Sequence, residues 1–373
     1  MRVRVTLVHD WLTGMRGGER ILHELALMFP GAALHTLIHV PGSTSPEIEA
    51  LRVQASPLSS LPGVARHYRK LLPLFPRAVE ALALEPCDVV LSTSHAFAKG
   101  VVAPAGARHL CYCMTPMRYV WDQIDAYLGR GPKRWLATPL VRYLQRWDQR
   151  TSTPERVGRF VAISHTVADR IRRHYGRPAP VVYPPVDVLR FEARKRDPGD
   201  AYLLVGGFVP YKNEALALEA FAELGRPLIV AGDGPTRRQL EAHAARNVRF
   251  VGRVNDAELA ELMSHARALI YPQLEDFGII AVEAQAAGCP VIALGQGGAC
   301  ETVVPLGAPG VREPTGVWFD EPQAESLARA VRAFENAESA FDPKALRSHA
   351  RRFDNARFRS EIRAQIDELR RSG

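Results

Sequence analysis

The chain reads as an α/β protein built from two doubly wound, parallel-sheet domains. Three observations predict it. Short apolar runs recur along the sequence, each ends in a glycine-rich or polar loop, and the loops open stretches with helical spacing. The series pauses at Val181-Val-Tyr-Pro184-Pro185-Val-Asp187 and the charged Arg194 to Gly199, which read as a linker, and then begins again. The 373 residues allow about two or three domains, each large enough for its own core.

In the first half, Val3 to Val8 reads as a strand ending at His9-Asp10-Trp11. The loop Gly14-Met-Arg16-Gly17-Gly18-Glu19 then opens a helix through Ile21, Leu22 and Leu25. Strand, glycine loop and helix together make a phosphate-approach geometry, the lesser alternative being that Gly17 and Gly18 only permit a tight turn. The GxGxxG fingerprint is absent, which argues against a nicotinamide dehydrogenase. Leu34 to Val40, Asp88 to Ser92, His109 to Tyr112 and Arg159 to Ser164 read as further strands. Ligands of open α/β sheets gather beyond the carboxyl ends of the strands, so His95 and Lys99, after the run at 88 to 92, are placed to reach one.

The second half repeats this grammar. Tyr202 to Val205 leads to Gly206-Gly207-Phe208 and Lys212-Asn213; Leu228 to Ala231 leads to Gly232-Asp-Gly234-Pro235; Val248 to Val251 leads to Gly252-Arg253-Val254. Ala268 to Tyr271 leads to Glu275-Asp-Phe277-Gly278-Ile279-Ile-Ala-Val-Glu283, and Val291 to Leu294 leads to Gly295-Gln-Gly297-Gly298. From Gly278 onward the spacing predicts a helix whose first amides lack internal partners, with Glu275 just before it and Glu283 inside it. Were the segment helical throughout, the two acids would stand about 12 Å apart. The expected division is residues 1–185, 186–352 and a terminal helix in 353–373 that either caps the second domain or crosses back onto the first.

Hydrophobic and charged fractions of 47% and 24% exclude disordered and fibrous classes. No run is long and apolar enough to cross a bilayer, and the first residues lack a signal-peptide block, so a cytoplasmic protein is expected. The five cysteines are odd in number and include no CxxC pair, which favours reduced thiols over a disulfide frame or a zinc site. Residues 1–190 carry 25 Lys and Arg against 14 Asp and Glu, a balance of +11, while the remainder carries 23 against 26. The basic half suggests an anionic partner: a phosphate-bearing acceptor, a membrane surface or nucleic acid, the last disfavoured because no reading module is present. Basic residues interleave with Leu, Phe and Tyr from His67 to Arg77, and a second basic cluster runs from Arg130 to Arg150. Such segments suit either a membrane-surface contact, placing the protein on the inner face of the plasma membrane, or an ordinary solvated face.

Over almost its full length the chain resembles glycosyltransferase family 4, retaining nucleotide-sugar enzymes of the GT-B fold. The motifs that carry the resemblance are EDFGIIAVE at 275 to 283, VPYKN at 209 to 213, AGDGP at 231 to 235, FVGRV at 250 to 254 and GQGGACE at 295 to 301. In the first half they are HDWLTGMRGGER, STSHAFAKG and CYCMTPMRYVWD, similar to bacterial enzymes that extend O-antigen or exopolysaccharide chains, several of which transfer mannose. The resemblance implies two Rossmann-like domains facing across a cleft. It also implies a nucleoside diphosphate sugar donor, with GDP-mannose favoured over UDP- or ADP-sugars, and a saccharide or lipid-linked saccharide acceptor.

Breaking the bond between an anomeric carbon and a nucleoside diphosphate builds negative charge on the leaving phosphate, while the sugar becomes oxocarbenium-like. No Asp-x-Asp metal motif is present, so neither a metal nor a cofactor is expected, and cations and helix amides must meet that charge. By resemblance Lys212 is the cationic clamp, and Gly17, Gly18, Gly297 and Gly298 bring backbone amides close. Glu283 would bind the ribose, and Glu275 with Phe277, Gly278 and Ile279 would hold the donor sugar. His95 would meet the sugar from the first domain, and the base would rest near Arg253 and Val254. The family commonly has an arginine where this chain has Gly207-Phe208; Arg16 or Arg253 is the expected substitute, with Lys99 a further auxiliary cation. A nucleotide-sugar epimerase and a non-catalytic sugar-nucleotide or glycan-binding protein remain as alternatives.

Overall fold

The computed structural model describes residues 3–124, 129, 131–209 and 212–371. Pro210 and Tyr211 of the VPYKN motif, and Arg130 at the head of the second basic cluster, lie outside these. The chain divides into two compact units, one formed by Met1–Pro185 with Ala356–Gly373 and the other by Val186–Asn355.

The first unit holds a six-stranded sheet of β1 (Val5–Leu12), β2 (Ala33–His39), β3 (Arg52–Ala55), β4 (Val89–Ser94), β5 (Arg108–Cys113) and β6 (Arg159–Ala162), in the order β3-β2-β1-β4-β5-β6. All neighbours are parallel, which buries both faces and explains the near-continuous apolar runs. β1 does not stop at Val8. His9 pairs with Thr36 and Thr93, and Trp11 with Ile38, so the polar triplet after the apolar run is itself strand. β3 went unread because it is an edge strand whose side chains are largely exposed, leaving no apolar alternation.

In the second unit, β7 (Tyr202–Gly206), β8 (Leu228–Gly232), β9 (Val248–Gly252), β10 (Leu269–Tyr271), β11 (Val291–Leu294) and β12 (Gly316–Phe319) form a parallel sheet ordered β12-β11-β10-β7-β8-β9. β12 was not foreseen. It begins at Gly316, where a Cβ would stand 2.0 Å from the Val291 carbonyl oxygen, so the residue that looks like a strand breaker is what lets the strand dock. The helix Ala324–Asn336, also unforeseen, buries Leu327, Val331 and Phe334 beside it.

Two boundary expectations change. Arg194 to Gly199 is pinned to the second unit: Arg196 donates to the carbonyls of Met263 (3.0 Å) and Ser264 (2.9 Å), and Asp197 N–H donates to Ser264 (3.1 Å). It is therefore not a free linker. The terminal helix spans Asn355–Arg371 and buries Phe358, Ile362, Ile366 and Leu369. Phe358 meets the Tyr112 ring at 5.6 Å, and Arg159 Nε donates to Gln365 at 2.7 Å, so the helix belongs to the first unit. All five cysteines are free.

Candidate active site

In the second unit the site forms where the loops after β7, β10 and β11 meet. The helix Ile279–Ala286 starts at Gly278, whose φ of +91° and a Cβ position 2.6 Å from Tyr271 Oη both require glycine. The short turn puts Glu275 ahead of the helix and Phe277 inside, edge-on to Phe353 at 5.5 Å. Glu275 lies 3.2 Å from Lys212 Nζ, each side chain 22% exposed. Asn213, at φ +58°, donates its side-chain amide to the Pro272 carbonyl at 3.0 Å and so ties the lysine's loop to the acid's loop. Gln273 does the same toward Val205 at 2.8 Å.

The glycines after β11 have another use than the one expected. Gly298 N–H donates to the Glu275 carbonyl at 2.8 Å, and a Cβ on Gly298 would stand 2.4 Å from Phe277 backbone atoms. At Gly297 (φ +62°) a Cβ would be 2.6 Å from the Glu275 carbonyl oxygen. These two residues let one loop lie directly on another, and the Gly298 amide is committed to that contact, not held ready for a phosphate.

Glu283, in the second turn of the helix, is buried and paired with Arg190 at 3.2 Å; the same arginine also pairs with Asp256. Arg253 is 83% exposed and sits 3.3 Å from Asp233, so its charge is shared; Val254 beside it is half-buried. The Cβ position of Gly207 lies 3.9 Å from Lys212 Nζ, so a side chain at 207 would stand beside the lysine.

In the first unit, His95 follows β4 and lies 3.1 Å from Asp10 through Nδ1. Its pKa is lowered by burial, with Asp10 acting in the opposite direction and Arg118, Arg16 and Arg69 adding to the depression. Arg16 and Gly17 are exposed at the head of the helix Gly17–Met28; Gly18 packs on Met114 and His9. Glu19 Oε2 accepts the Arg16 N–H at 3.1 Å, and burial pushes its carboxyl up to about 7.

Lys99 is a correction. It is 2% exposed, 2.9 Å from Asp148, and it donates to Thr151 and to the Asp148 carbonyl at 2.9 and 2.8 Å. Asp148 also accepts from Trp121 (2.8 Å) and Tyr175 (2.7 Å). The lysine is internal glue and is not available to a ligand. Sequence reading missed Asp10 and Arg190. Asp10 sits in a quoted motif but looked like strand-end polarity, and Arg190 stands 93 residues from its partner with nothing in one sequence to couple them.

Residues 186–353 match the family model for glycosyl transferases group 1, and residues 15–190 match that for Glycosyltransferase Family 4. The D-inositol 3-phosphate glycosyltransferase of Streptomyces avermitilis is 30% identical over 358 residues, covering 80% of this chain and 72% of that protein. The D-rhamnosyltransferase WbpZ of Pseudomonas aeruginosa is 31% identical over 170 residues, covering 40% of this chain and 45% of that protein, so the chain spans less than half the length of this relative. The crystal structure of Anabaena Alr3699/HepE in complex with UDP and glucose superimposes with a TM-score of 0.67 at 17% identity, covering 98% of this chain and 100% of that one. With a parallel six-stranded sheet in each unit and matches along both halves, the chain belongs to glycosyltransferase family 4 and has the GT-B fold.

Proposed function

We propose that the protein is a glycosyltransferase that moves a hexose from a nucleoside diphosphate sugar to a hydroxyl of a glycan or lipid-linked saccharide, with retention of configuration and without a metal. The observation that carries this reading is the pairing of Lys212 with Glu275 at 3.2 Å, in front of a helix that starts at Gly278. A lysine there meets the negative charge that grows on the leaving diphosphate, and the carboxylate with the first helix amides binds sugar hydroxyls. Glu283 is the handle for the ribose. The acceptor oxygen bonds to the anomeric carbon on the face from which the phosphate oxygen leaves, and the acceptor proton passes to that phosphate oxygen. No side chain forms a covalent intermediate.

GDP-mannose is the donor we favour, on the likeness of the first-half motifs to mannose-transferring enzymes, and surface-polysaccharide synthesis is the setting. Thermal-shift titration with GDP-, UDP- and ADP-sugars, followed by turnover with and without a saccharide acceptor, tests this. The expected result is a Tm rise largest with the GDP sugar and nucleotide release that requires acceptor. Sugar interconversion without acceptor would point to an epimerase, and full ligand binding with no turnover to a binding protein.

We further propose a cytoplasmic protein held peripherally on an anionic membrane. Among the described residues no helix is long and apolar enough to cross a bilayer. Support comes from the helix Pro132–Arg150, where Trp135 and Leu136 are 78% and 70% exposed and Arg142 and Arg146 lie on the solvent side, while Arg150 pairs with Glu80 at 3.2 Å. Such a face inserts its apolar end and holds acidic headgroups with its arginines, each worth about 1 kcal/mol near the surface. Co-sedimentation with anionic liposomes at low salt is expected, and a Trp135→Ala, Leu136→Ser double variant should lose most of it. A protein that stays in the supernatant at low salt would remove the membrane from the reading.

A further inference from the structure

Asp10 has more hydrogen-bond partners than a strand residue needs. Its carboxylate is fully buried and accepts four consecutive backbone N–H groups of the loop after β4: His95 (2.7 Å) and Ala96 (3.0 Å) on Oδ2, Phe97 (2.5 Å) and Ala98 (2.7 Å) on Oδ1. The same Oδ2 lies 3.1 Å from His95 Nδ1. A carboxylate in this setting only accepts, so of the two neutral tautomers the 3.1 Å approach is attractive only for the one with its hydrogen on Nδ1. The ring is held from the side as well, with Trp11 edge-on at 4.7 Å. Burial, joined by the nearby arginines, lowers the ring's pKa against the opposing pull of Asp10, which favours the neutral ring with one proton and a lone pair on Nε2. Among the described residues Nε2 has no hydrogen-bond partner, and the side chain is 31% exposed.

We propose that Asp10 is a positioning residue that fixes His95 in the Nδ1–H tautomer and so presents Nε2 as a hydrogen-bond acceptor to a hydroxyl of the bound saccharide. This rests on the glycosyl-transfer reading for its ligand, but the tautomer itself does not. One carboxylate sets both the path of the loop and the proton position on the ring, so the histidine is specialised to accept. A sugar that offers a hydroxyl at this point gains a bond. One lacking that hydroxyl leaves a desolvated nitrogen unpaired.

Long-range proton–nitrogen correlation spectra of the full-length protein labelled on histidine nitrogens read the tautomer directly. His95 is expected to be neutral and protonated on Nδ1 at pH 7.5, and an Nε2–H form or an imidazolium there overturns the proposal. Asp10→Asn should populate the other tautomer and lower kcat about a hundredfold while donor KM moves less than about threefold, as happens when an orienting acid is lost beside a working imidazole. Because that variant also disturbs the loop amides, His95→Gln and His95→Leu supply a second arm. The glutamine, which can place a carbonyl oxygen near the Nε2 position, should retain at least tenfold more transfer than the leucine. Equal activity of these two, or an Asp10→Asn protein with lower Tm but unchanged tautomer and kcat, would reduce Asp10 to a purely structural role. If the wild type transfers no sugar at all, the functional reading fails while the tautomer measurement still decides this one.

Discussion

Lys212→Ala is expected to lower kcat/KM for transfer by about two to three orders of magnitude, the loss typical when one donor to a developing anion is removed. Two features put the value at the upper end. The lysine is held in place, through Glu275 at 3.2 Å and through Asn213 on the Pro272 carbonyl, so its position is set before substrate arrives. The neighbouring residue at 207 is glycine, so no second side-chain cation stands in that loop to share the diphosphate. The lysine is partly exposed, and Tm should change by only a few degrees. Steady-state kinetics with the best donor of the thermal-shift screen, beside a melting curve, checks both halves. Near wild-type turnover would take Lys212 out of the mechanism.

Asp148→Ala should instead leave the chemistry untouched and destabilise the first unit by about 3 to 5 kcal/mol, because Lys99 would be left as a buried charge without its counter-ion. Trp121 and Tyr175 lose an acceptor in the same step. Replacing both partners, as Lys99→Met with Asp148→Leu, should cost less than Asp148→Ala alone, since no unpaired charge remains. Urea unfolding followed by tryptophan fluorescence measures this. A cost under about 1 kcal/mol for Asp148→Ala would mean that water reaches the lysine and the site is less dry than its burial indicates.

Much of the fold was legible because parallel strands buried on both faces leave an unambiguous mark. Val89 to Leu91 and Val291 to Leu294 have no polar alternation to blur; the first strand runs on through Ser94, and the second stops at Gly295, which opens the next loop. What escaped notice has opposite physics. Arg52–Ala55 pairs along one side only and faces water, and Gly316–Phe319 opens on a residue that argues against a strand until the Val291 carbonyl is seen beside it.

Within the site, residues whose role is local could be found. Gly278 announces a helix start, and Glu275 and Lys212 fall at strand ends. Roles set by distant partners could not. Lys99 looks like a free cation after a strand until Asp148, 49 residues on, closes over it. Gly298 looks like a phosphate loop until the Glu275 carbonyl takes its amide. Asp10 reveals itself only through four amides more than 80 residues away.

The place of the terminal helix carries one more consequence. In covalent terms Val186–Asn355 is an insertion in a unit whose last element, Ala356 onward, is translated after it. The inserted stretch is continuous, and its six-stranded sheet takes every strand from within 186–355. The first unit is discontinuous, since Phe358, beyond the insertion, covers Tyr112 of its sheet. A cut between Asn355 and Ala356 would therefore strip cover from the first unit's sheet and leave the second unit's sheet whole.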